Sequence, residues 1–299
     1  MTGRPPESSG SEKKLLAAVG DLVEDVVVHL RSDPRKGTDT QAVIARRRGG
    51  SAANVAALAV QSGTPSRFIG QVGADALGRE LVAELESQGV DARVSFHGVT
   101  GSIVVLVDHR GERTFLTDRG AAVGLVDVDD GVLDDVGLLH LPVYCLQSDP
   151  LARTSSRLAG DAVAREIPVS IDLSSVAVIE EFGRAELVSF LETVAPAVVF
   201  ANQSEHRVLG LDARDPIPGA RVTIIKGGAE PTLIVSPAGD VMSVPVRPVD
   251  EVVDTTGAGD AFAAGYLGAF LDGSSPRIAV DVGHRLAARV LGVAGAALG

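Results

Sequence analysis

Ala197-Val-Val-Phe-Ala201 runs directly into Asn202-Gln-Ser-Glu205-His-Arg-Val-Leu209, and Val222-Thr-Ile-Ile-Lys226 follows after a short connection. The outer two segments are short apolar runs of the kind that are buried on both faces of a sheet. Between them Ser204–Leu209 reads as a helix. A strand, a helix and a second strand at this spacing imply parallel neighbours joined by a crossover. The unit repeats toward the N-terminus, where Gly137–Leu141 and Val169–Asp172 read as strands and Pro150–Glu166 and Arg184–Val194 as helices. Toward the C-terminus Leu233–Ser236 reads as a strand, and Ala258–Leu271 and Pro276–Leu291 read as two apolar helices. The fold class is therefore α/β, with a mostly parallel sheet under covering helices.

The first 120 residues follow a less regular pattern. Leu15–Val19 is a short buried strand ending at Gly20-Asp21, and Asp25–Leu30 is a second. Arg31–Asp39 holds Pro34 and Gly37 and reads as a turn, after which Gln41–Arg47 returns as a strand. Gly49-Gly50 breaks it. Ala52–Gln61 is helical and is stopped by Gly63 and Pro65. Arg67–Val72 is another buried strand, and Gly78–Gln88 is an amphipathic helix ending at Gly89. Arg93–His97, Ser102–Asp108 and Arg113–Thr117 are strand-like, with a hairpin turn at His109-Arg-Gly-Glu112. With residues 26–47 these three are expected to form a separate small antiparallel sheet.

Composition restricts the function classes. The 299 residues are 45% hydrophobic but only 3% aromatic, with no Trp, so the core must be built of Val, Leu, Ala and Ile. A net charge of −12 argues against a nucleic-acid partner, which needs clustered Lys and Arg. Arg46-Arg47-Arg48 is the one basic run and is too short to reverse this. No stretch of 18 apolar residues is present, so no membrane span is expected. Residues 1–14 are polar, lack the apolar stretch of a leader, and are expected to be a disordered tail. Cys145 stands alone and forms no intrachain disulfide. These features agree with a cytoplasmic protein. A P-loop, a G-x-G-x-x-G fingerprint, a G-x-S-x-G elbow and a His cluster at metal-ligand spacing are all missing.

Asp254-Thr-Thr-Gly-Ala-Gly-Asp260-Ala-Phe-Ala-Ala-Gly-Tyr-Leu267 is the segment that carries chemistry. A glycine turn opening directly into an apolar helix aims backbone N–H groups at one point, at the positive end of the helix dipole. That point suits a phosphate. Asp260, in the same first turn, would reach the same space with a carboxylate. An anion cradle beside a carboxylate is what phosphoryl transfer to a hydroxyl requires.

At these residues the chain resembles the ribokinase-like (PfkB) family of carbohydrate kinases. Asp254-Thr-Thr-Gly-Ala-Gly-Asp260-Ala-Phe matches that family's C-terminal signature. Gly49-Gly-Ser-Ala-Ala-Asn54-Val-Ala resembles its N-terminal signature, and Phe68-Ile-Gly-Gln-Val-Gly-Ala-Asp75-Ala-Leu-Gly78 the stretch beyond it. Asn202-Gln-Ser-Glu205 resembles its N-x-x-E motif, and Lys226-Gly-Gly228 the glycine turn of its nucleotide pocket. The fold implied is a three-layer α/β/α domain with a small sheet, from strands at about 26–47 and 93–117, serving as a lid that excludes water from the acceptor.

The resemblance also implies roles. Asp260 would be the general base, with its pKa lowered by the helix N-terminus, and the amides of Gly257, Ala258 and Gly259 would hold the transferred phosphate. Asp25, Gly49, Gly50 and Asn54 would bind the acceptor, although Asp25 also reads as an exposed charge and Asn54 as a helix cap. Arg119 would touch the acceptor or the phosphate, or else form a surface salt bridge. Asn202, Lys226 and Gly228 would bind ATP, and Glu205 would act through water on Mg²⁺. Asn202 and Glu205 also satisfy the spacing of a capping box. Asp254, with backbone oxygens near Thr256 and in residues 289–295, would hold a monovalent cation, K⁺ in some relatives. The partners implied are ATP and a small sugar or sugar acid, with a homodimer formed through the lid. Phe96 and Phe115 are the only aromatics near the lid, which favours a free sugar over a nucleoside; a sugar-binding protein without catalysis is the third reading.

Overall fold

The computed structural model describes residues 14–249 and 252–292, so most of the predicted tail (residues 1–13) and residues 293–295 of the predicted cation loop lie outside them. The chain begins with β1 (Leu15–Val19), β2 (Val23–Leu30), β3 (Ala42–Gly49), α1 (Ser51–Gln61), β4 (Ser66–Val72), α2 (Ala76–Ser87) and β5 (Asp91–Phe96). Then come β6 (Thr100–Val107), β7 (Arg113–Gly120), β8 (Val136–Pro142), α3 (Leu151–Ala164) and β9 (Val169–Asp172). They are followed by α4 (Val176–Phe182), α5 (Arg184–Val194), β10 (Val198–Asn202), α6 (Gln203–Val208) and β11 (Thr223–Gly227). The chain closes with β12 (Glu230–Val235), β13 (Val241–Val244), α7 (Ala258–Leu271) and α8 (Pro276–Leu291).

Nine strands form one sheet in the order β13-β12-β11-β10-β9-β8-β1-β4-β5. Every pairing from β5 across to β11 is parallel, and only β12 and β13 run antiparallel at one edge. The period of two along each strand sorts side chains between two helical layers. Ala17, Leu139, Ile171 and Val199 pack against Leu158 and Ala159 of α3 and Leu187 and Leu191 of α5. Their neighbours Leu16, Leu138, Val198 and Phe200 face the other way, onto Val55 and Leu58 of α1 and onto α7 and α8. The aromatic-poor composition is thus a core of aliphatic residues with a few rings at its centre: Phe200 meets Tyr266 edge-on at 5.2 Å.

A second sheet has the order β3-β2-β6-β7. Its outer pairs are antiparallel, while β2 and β6 at its centre run parallel. Residues 93–97, predicted for this sheet, belong instead to the large one. There β5 pairs in parallel with β4, Phe68 opposite Ala92 and Val72 opposite Phe96. The reason is topological. Strand β4, helix α2 and strand β5 form one strand–helix–strand unit, and a right-handed crossover returns the chain to the same sheet.

Helix α7 is buried on nearly all sides. Small residues permit this. A Cβ built on Gly265 would stand 3.1 Å from Cα of Gly283 in α8, so the two helices touch backbone to backbone. This contact fixes α7, and with it the glycine turn at its start, against the carboxyl ends of the parallel strands. Ligand clefts of open α/β sheets form at those ends.

Candidate active site

Gly257 caps α7 in the left-handed region at φ 76°, which bends the chain sharply before the first helical turn. The first amides of a helix have no intrahelical acceptor. Of the three predicted to hold a phosphate, the amide of Ala258 turns back to the carbonyl of Thr255 at 3.3 Å. Those of Gly257 and Gly259 belong to the same bend.

Asp260 lies in the first turn of α7 and is held by two donors. Ser51 Oγ donates to its Oδ1 at 2.7 Å, and Asn54 Nδ2 donates to its Oδ2 at 2.9 Å. Both donors come from α1. They are three residues apart, so they share one face of that helix. Burial raises the Asp260 pKa to about 6, against the lowering effect of the Ser51 and Asn54 bonds, and Asp172 adds to the rise. The sequence predicts the opposite direction. A helix N-terminus contributes about 0.3–1 kcal/mol at exposed sites, less than one pKa unit, whereas burial moves a carboxyl by up to several units. Here burial wins.

Asp25, on β2, is partly buried. Burial and the nearby Asp260 carboxylate raise its pKa to about 6, against the pull of Arg48 and Arg47. A Cβ on Gly49 would collide with the Asp25 carboxylate, and a Cβ on Gly50 (φ 100°) with the carbonyl of Asp21. The two glycines therefore allow β2 and the start of α1 to approach closely. Asn54 is no helix cap: it is buried in the interior of α1, accepting from Arg48 Nη1 at 2.7 Å while donating to Asp260. The N-cap of α1 is Gly50 instead.

The wall opposite is charged. Lys226, at the end of β11, pairs with Asp172 of β9 at 2.7 Å, and its Nζ lies 3.6 Å from the position of a Cβ on Gly259. The ammonium group thus faces the glycine turn. Burial alone would lower the Lys226 pKa, but Asp172 and Glu205 together raise it. Asn202 and Glu205 form a full capping box on α6: Asn202 Oδ1 accepts from the amides of Ser204 and Glu205, and Glu205 Oε2 accepts from the Asn202 amide at 2.7 Å. Both residues nonetheless line the cleft, so the capping geometry presents them to it. Burial, then the Asp172 carboxylate, raise the Glu205 pKa to about 7. Gly228, at φ 66°, lines the same cleft. The cleft encloses about 1020 Å³ and runs from Ser51 and Asp260, past Lys226, to His284 and Ala288 on α8.

Two predicted site residues are engaged elsewhere. Arg119 forks onto Asp21 with two bonds of 2.7 Å and reaches the carbonyl of Tyr144 at 2.9 Å and Gln147 Oε1 at 3.2 Å. It ties β7 to the large sheet. Asp254 accepts from Arg113 of β7 at 2.6 Å and faces Arg47 of β3 at 3.7 Å, so it latches the small sheet to the glycine turn. The Asp254 side chain thus already faces two guanidinium groups, and residues 293–295 of the predicted cation loop lie outside the described residues. Ser51, Asp172 and Arg48 were not singled out by sequence. Ser51 carried a signal, since it lies one helical turn from Asn54. Asp172 carried one too, at the carboxyl end of a parallel strand.

The model of the pfkB carbohydrate kinases matches residues 13–154 and 187–299. The chain belongs to the pfkB family of carbohydrate kinases. Among curated members, an ATP-dependent ribose-1-phosphate kinase from Halopiger xanaduensis is 32% identical over 285 residues, covering 90% of each chain. Fructosamine kinase from Bacillus subtilis is 30% identical over 266 residues, covering 83% of this chain and 85% of its own. The crystal structure of adenosine kinase from Sinorhizobium meliloti superposes with a TM-score of 0.84 at 25% identity, covering 95% and 96% of the two chains. This pfkB member is thus an ATP-dependent carbohydrate kinase with the ribokinase-like architecture, a three-layer α/β/α domain with a small second sheet. Among the described residues no helix is long and apolar enough to cross a membrane.

Proposed function

We propose that the enzyme transfers the terminal phosphate of ATP to a hydroxyl of a small sugar or sugar acid, with Asp260 as the base. The observation that carries this reading is the Asp260 carboxylate held by Ser51 and Asn54 beside the bend at Gly257. Asp260 takes the proton of the acceptor hydroxyl as its oxygen bonds to phosphorus and the bond from phosphorus to the ADP oxygen breaks. The amides of Gly257 and Gly259 and the Lys226 ammonium group stabilise charge on the transferred group. A base with a pKa near 6 is ionised at neutral pH and is a better proton acceptor than an ordinary carboxylate.

Asn202, Lys226 and Gly228 line the part of the cleft assigned to the nucleotide phosphates. Asp25, Gly49, Gly50 and Asn54 are assigned to the acceptor, next to the Asp260 end of the cleft, through the Asn54–Asp260 bond and the approach of Gly49 to Asp25. Glu205 fits a hydrated Mg²⁺: two of its lone pairs are taken by Asn202, which leaves others for metal-bound water. Mg²⁺ would neutralise charge on the nucleotide phosphates. A nucleoside acceptor is the second reading, favoured by the likeness to adenosine kinase. Against it, Phe96 and Phe115 are 45% and 59% exposed and make no enclosed shelf for a base. ADP release from ATP with D-ribose, D-fructose, 2-keto-3-deoxygluconate and adenosine should show saturable turnover with a sugar and little with adenosine. Turnover confined to adenosine would reverse the assignment, and none with any acceptor would favour a binding protein.

The same proposal includes a homodimer formed through the small sheet. Val43 and Ile44 on β3 are 53% and 61% exposed, and Phe115 and Leu116 on β7 are 59% and 54% exposed. These are the two edge strands, and adjacent residues on each point to opposite faces. Exposed apolar edge strands are normally covered. Light scattering at micromolar concentration should report about twice the chain mass, and a monomer would overturn this part of the reading. The reading places the enzyme in the cytoplasm, where ATP is plentiful.

A further inference from the structure

Arg48 is the last charged residue of β3, and it is buried at 8% exposure. Its Nη1 donates to Asn54 Oδ1 at 2.7 Å, and its Nε faces Glu84 of α2 at 3.3 Å. An arginine only donates and an ionised carboxylate only accepts. The Asn54 amide lies between one of each. With Oδ1 turned to Arg48, its NH₂ group must face Asp260, as observed. The reverse orientation would set NH₂ against guanidinium and a carbonyl against a carboxylate, losing both bonds. We propose that Arg48 is a positioning residue for phosphoryl transfer, which acts through Asn54 to keep the Asp260 carboxylate in place.

The inference rests on Asp260 being the base. Nothing else among the hydrogen bonds of the described residues orients Asn54. Ser51 holds Oδ1 of Asp260, but it is a hydroxyl rotor and leaves the carboxylate free to swing about that one bond. The Asn54 bond to Oδ2 supplies the second fixed point. The charged and titratable groups around Asp260 are Asp25 of β2, Arg48 of β3, Asp172 of β9, Lys226 of β11 and Tyr144 after β8. Arg48 is the one that reaches the base through a hydrogen-bonded intermediary, and its backbone belongs to the small sheet, opposite Glu24.

The test compares Arg48→Met, Arg48→Lys, Asn54→Ser and the Arg48→Met/Asn54→Ser double variant in the full chain. Readouts are kcat, the KM for ATP, the melting temperature, and the rate of ATP hydrolysis without sugar, using the best acceptor of the panel above. Arg48→Met should lower kcat by about 10- to 100-fold while the KM for ATP moves by less than about 2-fold. Arg48→Lys, which can still donate to Asn54, should regain part of the loss. In the Asn54→Ser background the Arg48→Met step should shrink to less than about 3-fold, since both substitutions cut one chain of contacts. A fall in melting temperature with unchanged kcat would mean that Arg48 only packs the root of β3, and would overturn the inference. So would full additivity in the double variant. Should Arg48→Met not fold, Asn54→Ser decides: the proposal expects its kcat to fall at least as far, and an unchanged kcat there would overturn it, since Arg48 acts only through Asn54. Asp260→Asn is measured alongside. If it turns over normally, the base assignment falls and this inference with it; if it is inactive while Arg48→Met is not impaired, only this inference falls.

Discussion

Asp260→Asn should reduce turnover by about 10³-fold, within the 10²- to 10⁴-fold range of a general base, and leave ATP affinity nearly unchanged. Asparagine keeps the size of the side chain, and with its oxygen turned to the Asn54 amide and its NH₂ to the Ser51 hydroxyl it keeps both contacts, but it takes no proton. The same substitution should stabilise the fold near neutral pH. The folded pKa of Asp260, about 6, lies above its usual 3.8, so the folded state binds the proton more tightly than the unfolded chain. The stability this proton brings is fully present below about pH 4 and is lost as pH rises to about 6. Above that window the enzyme holds a charged carboxylate in a poorly solvated place. Removing the charge should return about 1–3 kcal/mol at pH 7.5, the upper figure being the undiscounted two-unit shift. The gain should vanish at pH 4, where both variants are neutral.

The pH profile separates cause from coincidence. Wild-type kcat should fall as pH drops below about 6, as the base takes up its proton, whereas the residual rate of Asp260→Asn should not follow that curve. Asp25 titrates in the same range and repels the same charge, so the wild-type profile belongs to the pair rather than to one residue. Asp25→Asn should shift the Asp260 midpoint downward. Near-normal turnover in Asp260→Asn, or a flat wild-type profile between pH 5 and 7, would remove Asp260 from the chemistry.

Much of this was legible in the chain because it is local. A glycine turn before an apolar helix, a capping box over four residues, and a strand with every second side chain on one face are each decided within a few residues. What was not legible depends on which distant elements meet. Residues 93–97 look the same whether they pair in the small sheet or beside β4, and only the crossover through α2 decides it. Arg119 and Arg113 look alike as well: both are arginines on β7. One ends on Asp21 and the other on Asp254, which are 98 and 141 residues away. The direction of the Asp260 pKa shift is hidden for the same reason. The helix end is visible in sequence, but the burial that outweighs it comes from α1 and the opposite wall. Asp172 shows the intermediate case, since its strand is legible locally while its partner Lys226 lies 54 residues on.

The Arg119–Asp21 pair yields the second large effect, this time on stability. Both side chains are only 11% exposed, and the guanidinium has four partners: two carboxylate oxygens, the Tyr144 carbonyl and Gln147. Deleting one member of such a pair leaves the other charge in a poorly solvated site, which costs about 3–5 kcal/mol. A domain with about 5–15 kcal/mol in total would lose a large share of it. Asp21→Ala and Arg119→Met should therefore each lower the urea midpoint strongly. Arg119→Met should still bind ATP and acceptor with KM values close to wild type at low temperature, because the guanidinium faces Asp21 and not the cleft floor. A substrate-binding arginine would give the reverse pattern, with an acceptor KM raised about 10-fold or more and stability barely moved. Replacing both, as Asp21→Leu/Arg119→Met, should recover much of the loss, since no unpaired charge then remains. If the double variant is no better than the sum of the singles, the two residues do not act as a pair, and the link between β7 and the large sheet must be sought in the Tyr144 and Gln147 contacts instead.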